Sequence, residues 1–211
     1  MLGCFTLNPE ASYNYLTTGV RASKRTGGFT EPTAGPTVGT MHTLNEIMEA
    51  GIIPPKTGQT NTYAVGDDGT NQIGLAWPNP RFSPVATNGA ATNQIRDNLT
   101  GLIWARNANM FGVINWGAAV TNCNDLIYGG TNDWRLPNWQ ELRSLIDASK
   151  CSPALPAEHP FAGVQSSTFY WSSSTRADGT DLAWNVHLYD GRVNYIAKVT
   201  AYYVWPVRGG Q

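Results

Sequence analysis

Charge is scarce in this chain. Lys, Arg, Asp and Glu together make up 14% of its 211 residues, and the formal net charge is −1. No basic run or stripe appears, so a surface that neutralises nucleic-acid phosphates has no support. The acids are interspersed and form no tail. Cysteine is scarce too. The three present, Cys4, Cys123 and Cys151, cannot complete a disulfide framework. Cys123 and Cys151 either pair in an oxidising compartment or stand as separate thiols. No apolar run is long enough to cross a bilayer, so direct membrane insertion is not expected. No secretory signal is read either: Leu2-Gly3-Cys4 has the look of a lipoprotein cleavage site, without an apolar run before it.

What is abundant points elsewhere. Apolar residues make up 41% of the chain, with eight Trp and nine Tyr, enough for a packed core. Gly (22) and Pro (13) argue for many turns. Aromatics on a turn-rich, weakly charged frame suit a binding surface, because Tyr and Trp give large contact area at small entropic cost. Most of the Trp are expected in the core.

Along the chain, residues 1–56 read as an N-terminal arm with one short helix. The stretch from Thr26 to Gly39 is rich in Gly, Thr and Pro, as in an extended linker. Met41 to Gly51 reads as a helix, with Thr43 and Glu46 at capping-box spacing and Pro54-Pro55 after its end. Residues 57–100 read as short strands and turns, with Gly66-Asp67-Asp68-Gly69 a turn rather than a calcium loop. Asn98-Leu99-Thr100 fits a glycosylation acceptor but reads better as a turn before a Leu102-Ile103-Trp104 strand.

A helix is predicted over 115–128, its apolar face being Trp116, Ala119, Val120, Cys123 and Ile127. A second runs from Trp139 to Ala148, capped by Asn138, with Glu141 favouring its N-terminus and Leu142, Leu145 and Ile146 facing inward. Strands follow at Tyr170-Trp171, Ala183–Leu188, Arg192–Ile196 and Tyr203–Val207. A strand, two helices and several antiparallel strands make an α+β plan.

Several segments resemble one family. They are Asp97-Asn98-Leu99-Thr100-Gly101-Leu102-Ile103-Trp104, then Asn132-Asp133-Trp134-Arg135-Leu136-Pro137 with Glu141-Leu142 and Ser144-Leu145. Tyr170-Trp171-Ser172-Ser173, Ala183-Trp184-Asn185-Val186, Asp190-Gly191 and Val207-Arg208-Gly209-Gly210 complete the set. Together, over residues 57–211, they resemble the Lcl C-terminal domain family of bacterial and phage surface proteins. That resemblance implies a C-type-lectin-like fold of the formylglycine-generating-enzyme type. The end, Tyr203 to Gln211, is further similar to the constant tail of variable proteins of diversity-generating retroelements. In such systems template adenines are mutated, Asn codons are the usual targets, and Trp, Met, Gln, Glu and Lys are excluded from the products.

The residues between the fixed motifs are Arg176, Asp178, Thr180, Asp181, Leu182, His187, Tyr189, Arg192, Tyr195, Ile196, Ala197, Val199, Thr200, Ala201 and Tyr202. Each is reachable from an Asn codon. No Glu follows Glu158, and the sole later Lys, Lys198, falls at a position constant in the resemblance.

Enzyme chemistry is thinly represented. No Cys follows Cys151, so the cysteines of a formylglycine-generating enzyme have no counterpart near the C-terminus. Asp178, Asp181 and Asp190 read as turn residues rather than a glycosidase pair. His42, His159 and His187 have no Gly-x-Ser-x-Gly elbow to serve, and Ser172 and Ser173 belong to a fold motif. Trp184-Asn185-Val186 puts Val where a calcium-binding lectin needs an oxygen. Asp133 and Arg135 read as a charge-assisted network that fixes a loop, Arg208 as structural, and Trp134, Trp171, Trp184 and Trp205 as core.

The resulting expectation is an α+β, C-type-lectin-like domain that acts without catalysis, cofactor or metal. It presents residues 174–202 to a protein or cell-surface ligand, at a cell surface or on a phage particle; a homo-oligomer is compatible with this. The alternatives are an undiversified adhesin or phage-fibre module and an enzyme of the formylglycine-generating type. Arg176, Asp178, Asp181, His187, Tyr189, Arg192, Tyr195 and Tyr202 are expected to share one exposed face.

Overall fold

The computed structural model describes residues 54–85 and 93–210. The compact unit from Pro55 to Gln211 is treated by itself. The predicted Met41–Gly51 helix and the Thr26–Gly39 linker lie outside the described residues, as do Cys4 and His42. Among the described residues there are three helices and two antiparallel sheets, an α+β arrangement. In chain order they are α1 (Asp68–Asn71), β1 (Phe82–Pro84), β2 (Gln94–Asp97), β3 (Ile103–Ala105), α2 (Trp116–Asn124), α3 (Trp139–Ser144), β4 (Phe169–Arg176), β5 (Gly179–His187), β6 (Val193–Ala197) and β7 (Val207–Arg208). One sheet runs β1-β2-β3-β7 and the other β4-β5-β6.

The second sheet lies between two apolar clusters. Cross-strand partners share a face, and neighbours along a strand alternate. Tyr170 pairs with Val186, and Val186 with Val193; all three pack into a cluster with Trp104, Trp134, Leu142, Leu145 and Trp205. Ala183 pairs with Ile196 on the other face and joins Trp171, Ala119, Cys123, Leu136 and Val204. Chain direction at Tyr202-Tyr203 follows the same rule, Tyr202 going to the second cluster and Tyr203 to the first.

Asn138 caps α3 as predicted, and the cap is a full reciprocal box: its side chain accepts the Glu141 N–H at 2.9 Å, while Glu141 accepts the Asn138 N–H at 2.8 Å. Both longer helices stop earlier than predicted. After α2, Leu126 donates to the Cys123 carbonyl and packs into the first cluster. That tightening turns Ile127, expected on the buried face, out to 79% exposure. After α3, Leu145 and Ile146 bond three residues back, and Asp147 and Ala148 donate to Ala154 and Thr57 instead of continuing the helix. The predicted Tyr203–Val207 strand is reduced to β7, because Tyr203 makes only an isolated bridge to Tyr170.

The Gly66–Gly69 turn holds a single helical turn, capped by Asp67, whose side chain accepts the Thr70 N–H at 2.9 Å. Asp97 likewise organises the turn after β2 by accepting the Leu99 N–H at 2.9 Å. Its carboxylate also forms a buried pair with Arg81 at 2.7 Å, which ties β1 to β2. Cys123 and Cys151 are separate thiols, the first buried and the second exposed. Burial pushes the Cys123 thiol up to about 12, so it acts as a small apolar side chain.

Candidate functional site

The loop that opens α3 sets the frame. Arg135 forms a two-pronged pair with Glu141, at 2.8 and 2.6 Å, and also donates to the Gly209 carbonyl at 2.9 Å. Glu141 thus serves the helix cap and the arginine together. Asp133 pairs instead with Arg208 at 2.7 Å, and Arg208 reaches the buried Gln94 at 2.9 Å. The expected network exists, but as two pairs that fasten the C-terminal strand, with Asp133 and Arg135 in different ones. Each pairing shows in the ionisation: the Arg208 bond holds the Asp133 carboxyl below its usual range, and the Glu141 bond raises Arg135.

Lys198 is part of the frame. Its ammonium sits 3.9 Å from the Trp116 ring centre and donates to Thr175 at 2.8 Å, while its backbone joins Asp181 and Trp116. It therefore fastens the end of the three-stranded sheet to α2, a role that long reach and positive charge both serve.

On this frame the candidate side chains fall into two groups, not one. Register is the reason. Trp184 pairs with Tyr195, so these two share one face, while Asn185 pairs with Asn194, and His187 with Phe169, on the other. Tyr195 and His187 therefore point to opposite sides of the sheet, which corrects the single-face expectation.

The first group surrounds Phe169. The His187 ring lies edge-on at 4.5 Å, Tyr202 at 5.3 Å, and the Arg192 guanidinium 5.8 Å over its ring. Tyr189 continues the group, 6.1 Å from His187, and the His187 Nδ1 accepts the Tyr189 N–H at 3.2 Å. Tyr189 and Arg192 are exposed; His187 and Tyr202 are half-buried. The turn that carries them needs Gly191: its φ is +77°, and a Cβ there would stand 2.6 Å from Ile146.

The second group lies on the opposite face. Arg176 covers the Tyr195 ring at 3.7 Å and pairs with Asp178 through a 2.6 Å bond. That bond lowers Asp178 and raises Arg176 from their ordinary values. Trp184 stands 5.4 Å from Tyr195 and 6.3 Å from Trp139 of α3. Trp184, expected in the core, is thus only half-buried, because it sits on this face beyond the first cluster.

The remaining candidates are scattered. Thr180, Asp181, Val199 and Ala201 are exposed at the sheet's far end, and Thr200 is half-buried there. Leu182 and Ala197 are a half-buried pair on the Tyr195 face, and Ile196 packs into the second cluster. Sequence reasoning missed Phe169, the centre of the first group. Its alternation with Trp171, one strand repeat away, was the available signal.

The Ser172 hydroxyl is buried and donates to the Trp184 carbonyl at 2.7 Å. His159 stacks on Phe161 with centres 5.9 Å apart, and burial lowers its pKa, which favours the neutral ring. Among the described residues no group of three His, Cys, Asp or Glu side chains could hold a metal. The sequence profile of the Lcl C-terminal domain family matches residues 93–208, which spans β2 to β7 and both groups. No curated protein matches the chain.

Proposed function

We propose that this chain, which belongs to the Lcl C-terminal domain family, is a non-enzymatic recognition protein with a C-type-lectin-like fold. It binds a protein or cell-surface ligand through the Phe169 surface. One observation carries the reading. Three side chains at positions read as changeable, His187, Arg192 and Tyr202, contact the Phe169 ring and a fourth, Tyr189, contacts His187, while the neighbouring Val186 and Leu188 are fully buried. Such a surface can change residue by residue above a core that does not. Aromatic rings with an arginine and a histidine give wide contact area and directed hydrogen bonds, the composition of a recognition patch. Diversification by a retroelement would supply the changes, and a cell surface or phage particle the place of display.

Two measurements test this. Sequencing of the adjoining DNA should find a near-copy of the 174–211 coding stretch, altered at adenines, next to a reverse-transcriptase gene. Randomising codons 187, 189, 192 and 202 in the displayed chain should give binders to unrelated protein targets. A randomised pool that yields no binder while its members remain folded would sink the reading.

A further inference from the structure

We propose that Asn185 is a ligand-reading residue beneath the Phe169 surface, and that its carboxamide pairs with the main chain of an extended polypeptide segment. This rests on the display reading above and names the ligand class for that surface.

Asn185 sits in the middle strand of the three-stranded sheet, between Trp171 on one side and Asn194 on the other. The register puts it on the same face as Phe169 and His187. It is 1% exposed, and neither its Oδ1 nor its Nδ2 has a hydrogen-bond partner. Other buried polar side chains are engaged: Gln94 with Gly129 and Arg208, Asp97 with Arg81, Ser172 with Trp184, and Asp147 with Ser149. Trp104, Asn109, His159 and Arg81 each leave one buried atom unmet, but among the described residues Asn185 is the side chain with both ends unmet. A buried amide with both ends unmet destabilises the free fold, and an apolar side chain of similar size would fit a strand better. Val186, the next residue, shows what this strand otherwise selects for burial.

The geometry favours one complement. A carboxamide offers an acceptor and a donor side by side. A residue in an extended chain presents its N–H and C=O on the same edge, so it can meet both at once. On the same face of the sheet, Phe169 with Tyr202 and Arg192 against its ring offers apolar and stacking surface for the flanking side chains. Tyr202 packs 5.2 Å from Trp171, the cross-strand neighbour of Asn185. A turn of that ring, or a smaller residue at this changeable position, opens the way to the amide.

The experiment pans a phage-displayed library of random linear peptides on the immobilised full chain and on its Tyr202→Ala variant. Asn185→Val is then compared with the parent, as is a four-fold variant carrying Ala at 187, 189, 192 and 202. Asn185→Val should melt no lower than the parent, yet bind the selected peptides about tenfold or more weakly, the loss of a buried hydrogen-bonded pair. N-methylation at one peptide position should cause a similar loss on the parent and little further loss on Asn185→Val. A lower melting point for Asn185→Val, unchanged peptide affinity, or a library that yields no peptide would each overturn the assignment. If the four-fold variant loses the peptides and Asn185→Val does not, the surface reading stands and Asn185 alone fails. If both retain them, the surface reading fails.

Discussion

Two regions of this domain hold their charged and aromatic residues by different means. In the corner between Asp133 and Leu145, polar side chains hold one another and the C-terminal strand: Asp133 bonds Arg208, Arg135 bonds Glu141 and Gly209, and Asn138 and Glu141 cap the helix reciprocally. Around Phe169 the residues meet mostly through ring contacts, and the His187 and Asp190 side chains accept backbone N–H groups of the turn. A hydrogen-bonded pair specifies both partners; a ring edge accepts many neighbours. On the proposed reading, the corner should dictate its sequence and the patch should tolerate replacement.

The sharpest contrast should come from the ring under the corner. Trp134 is 2% exposed and donates its Nε1–H to the Tyr128 carbonyl at 3.0 Å. Trp134→Ala should cost about 3–5 kcal/mol of stability, read by chemical denaturation; an unchanged midpoint would remove this Trp from the core. Next in size is Arg135→Ala, which leaves Glu141 with its cap but without its cation. A half-buried charge-assisted pair predicts a loss of about 1.5–3 kcal/mol, with Arg135→Lys recovering only part of it because an ammonium cannot match both oxygens. The paired Tyr189→Ala, Arg192→Ala variant of the patch should do much less: both positions are exposed, and each contributes within about 0.5 kcal/mol. A patch variant that falls as far as Arg135→Ala would erase the contrast.

The smallest effect expected is electrostatic and lies outside both regions. Asp67 accepts the Tyr63 N–H at 2.8 Å and also serves Thr70 and Ala64, which lowers its pKa from 3.8 to about 2. A depressed carboxylate contributes stability above its unfolded value and loses it as pH falls through the folded one. The 63–71 turn should thus hold at pH 4 and above and loosen between about pH 3.8 and 2, visible as faster amide exchange at Thr70. Exchange that does not change over that window would show that Asp67 is not the turn's anchor.

Much of the frame was legible in the sequence. Asn138 with Glu141 three residues on announced the capped helix, and the strands read at Tyr170-Trp171 and Ala183–Leu188 correspond to two of the observed strands. What was not legible depends on partners far away in the chain. The ends of α2 and α3 are set by bonds to Cys123, Ala154 and Thr57, which helix propensity does not contain. The split of the candidate residues depends on whether Trp184 opposes Tyr195 or its neighbour, and the turn at Asp190-Gly191 decides that. One residue of slip would have put Tyr195 beside His187. Phe169 escaped notice because a half-buried ring at a strand's start reads as core until its neighbours are placed. Trp184 was misassigned for the converse reason: a Trp in a strand segment of apolar and small residues reads as core, yet its face of the sheet extends past the cluster.

The central claim is that the patch can change and the corner cannot. Two displayed pools measure it directly, one randomised at 187, 189, 192 and 202 and the other at 133, 135, 138 and 141, each scored for the fraction of members that survive protease. The account predicts that most patch members survive as the parent does, and that few corner members do. Equal survival in the two pools, or a patch pool that is cut as readily as the corner pool, would contradict it.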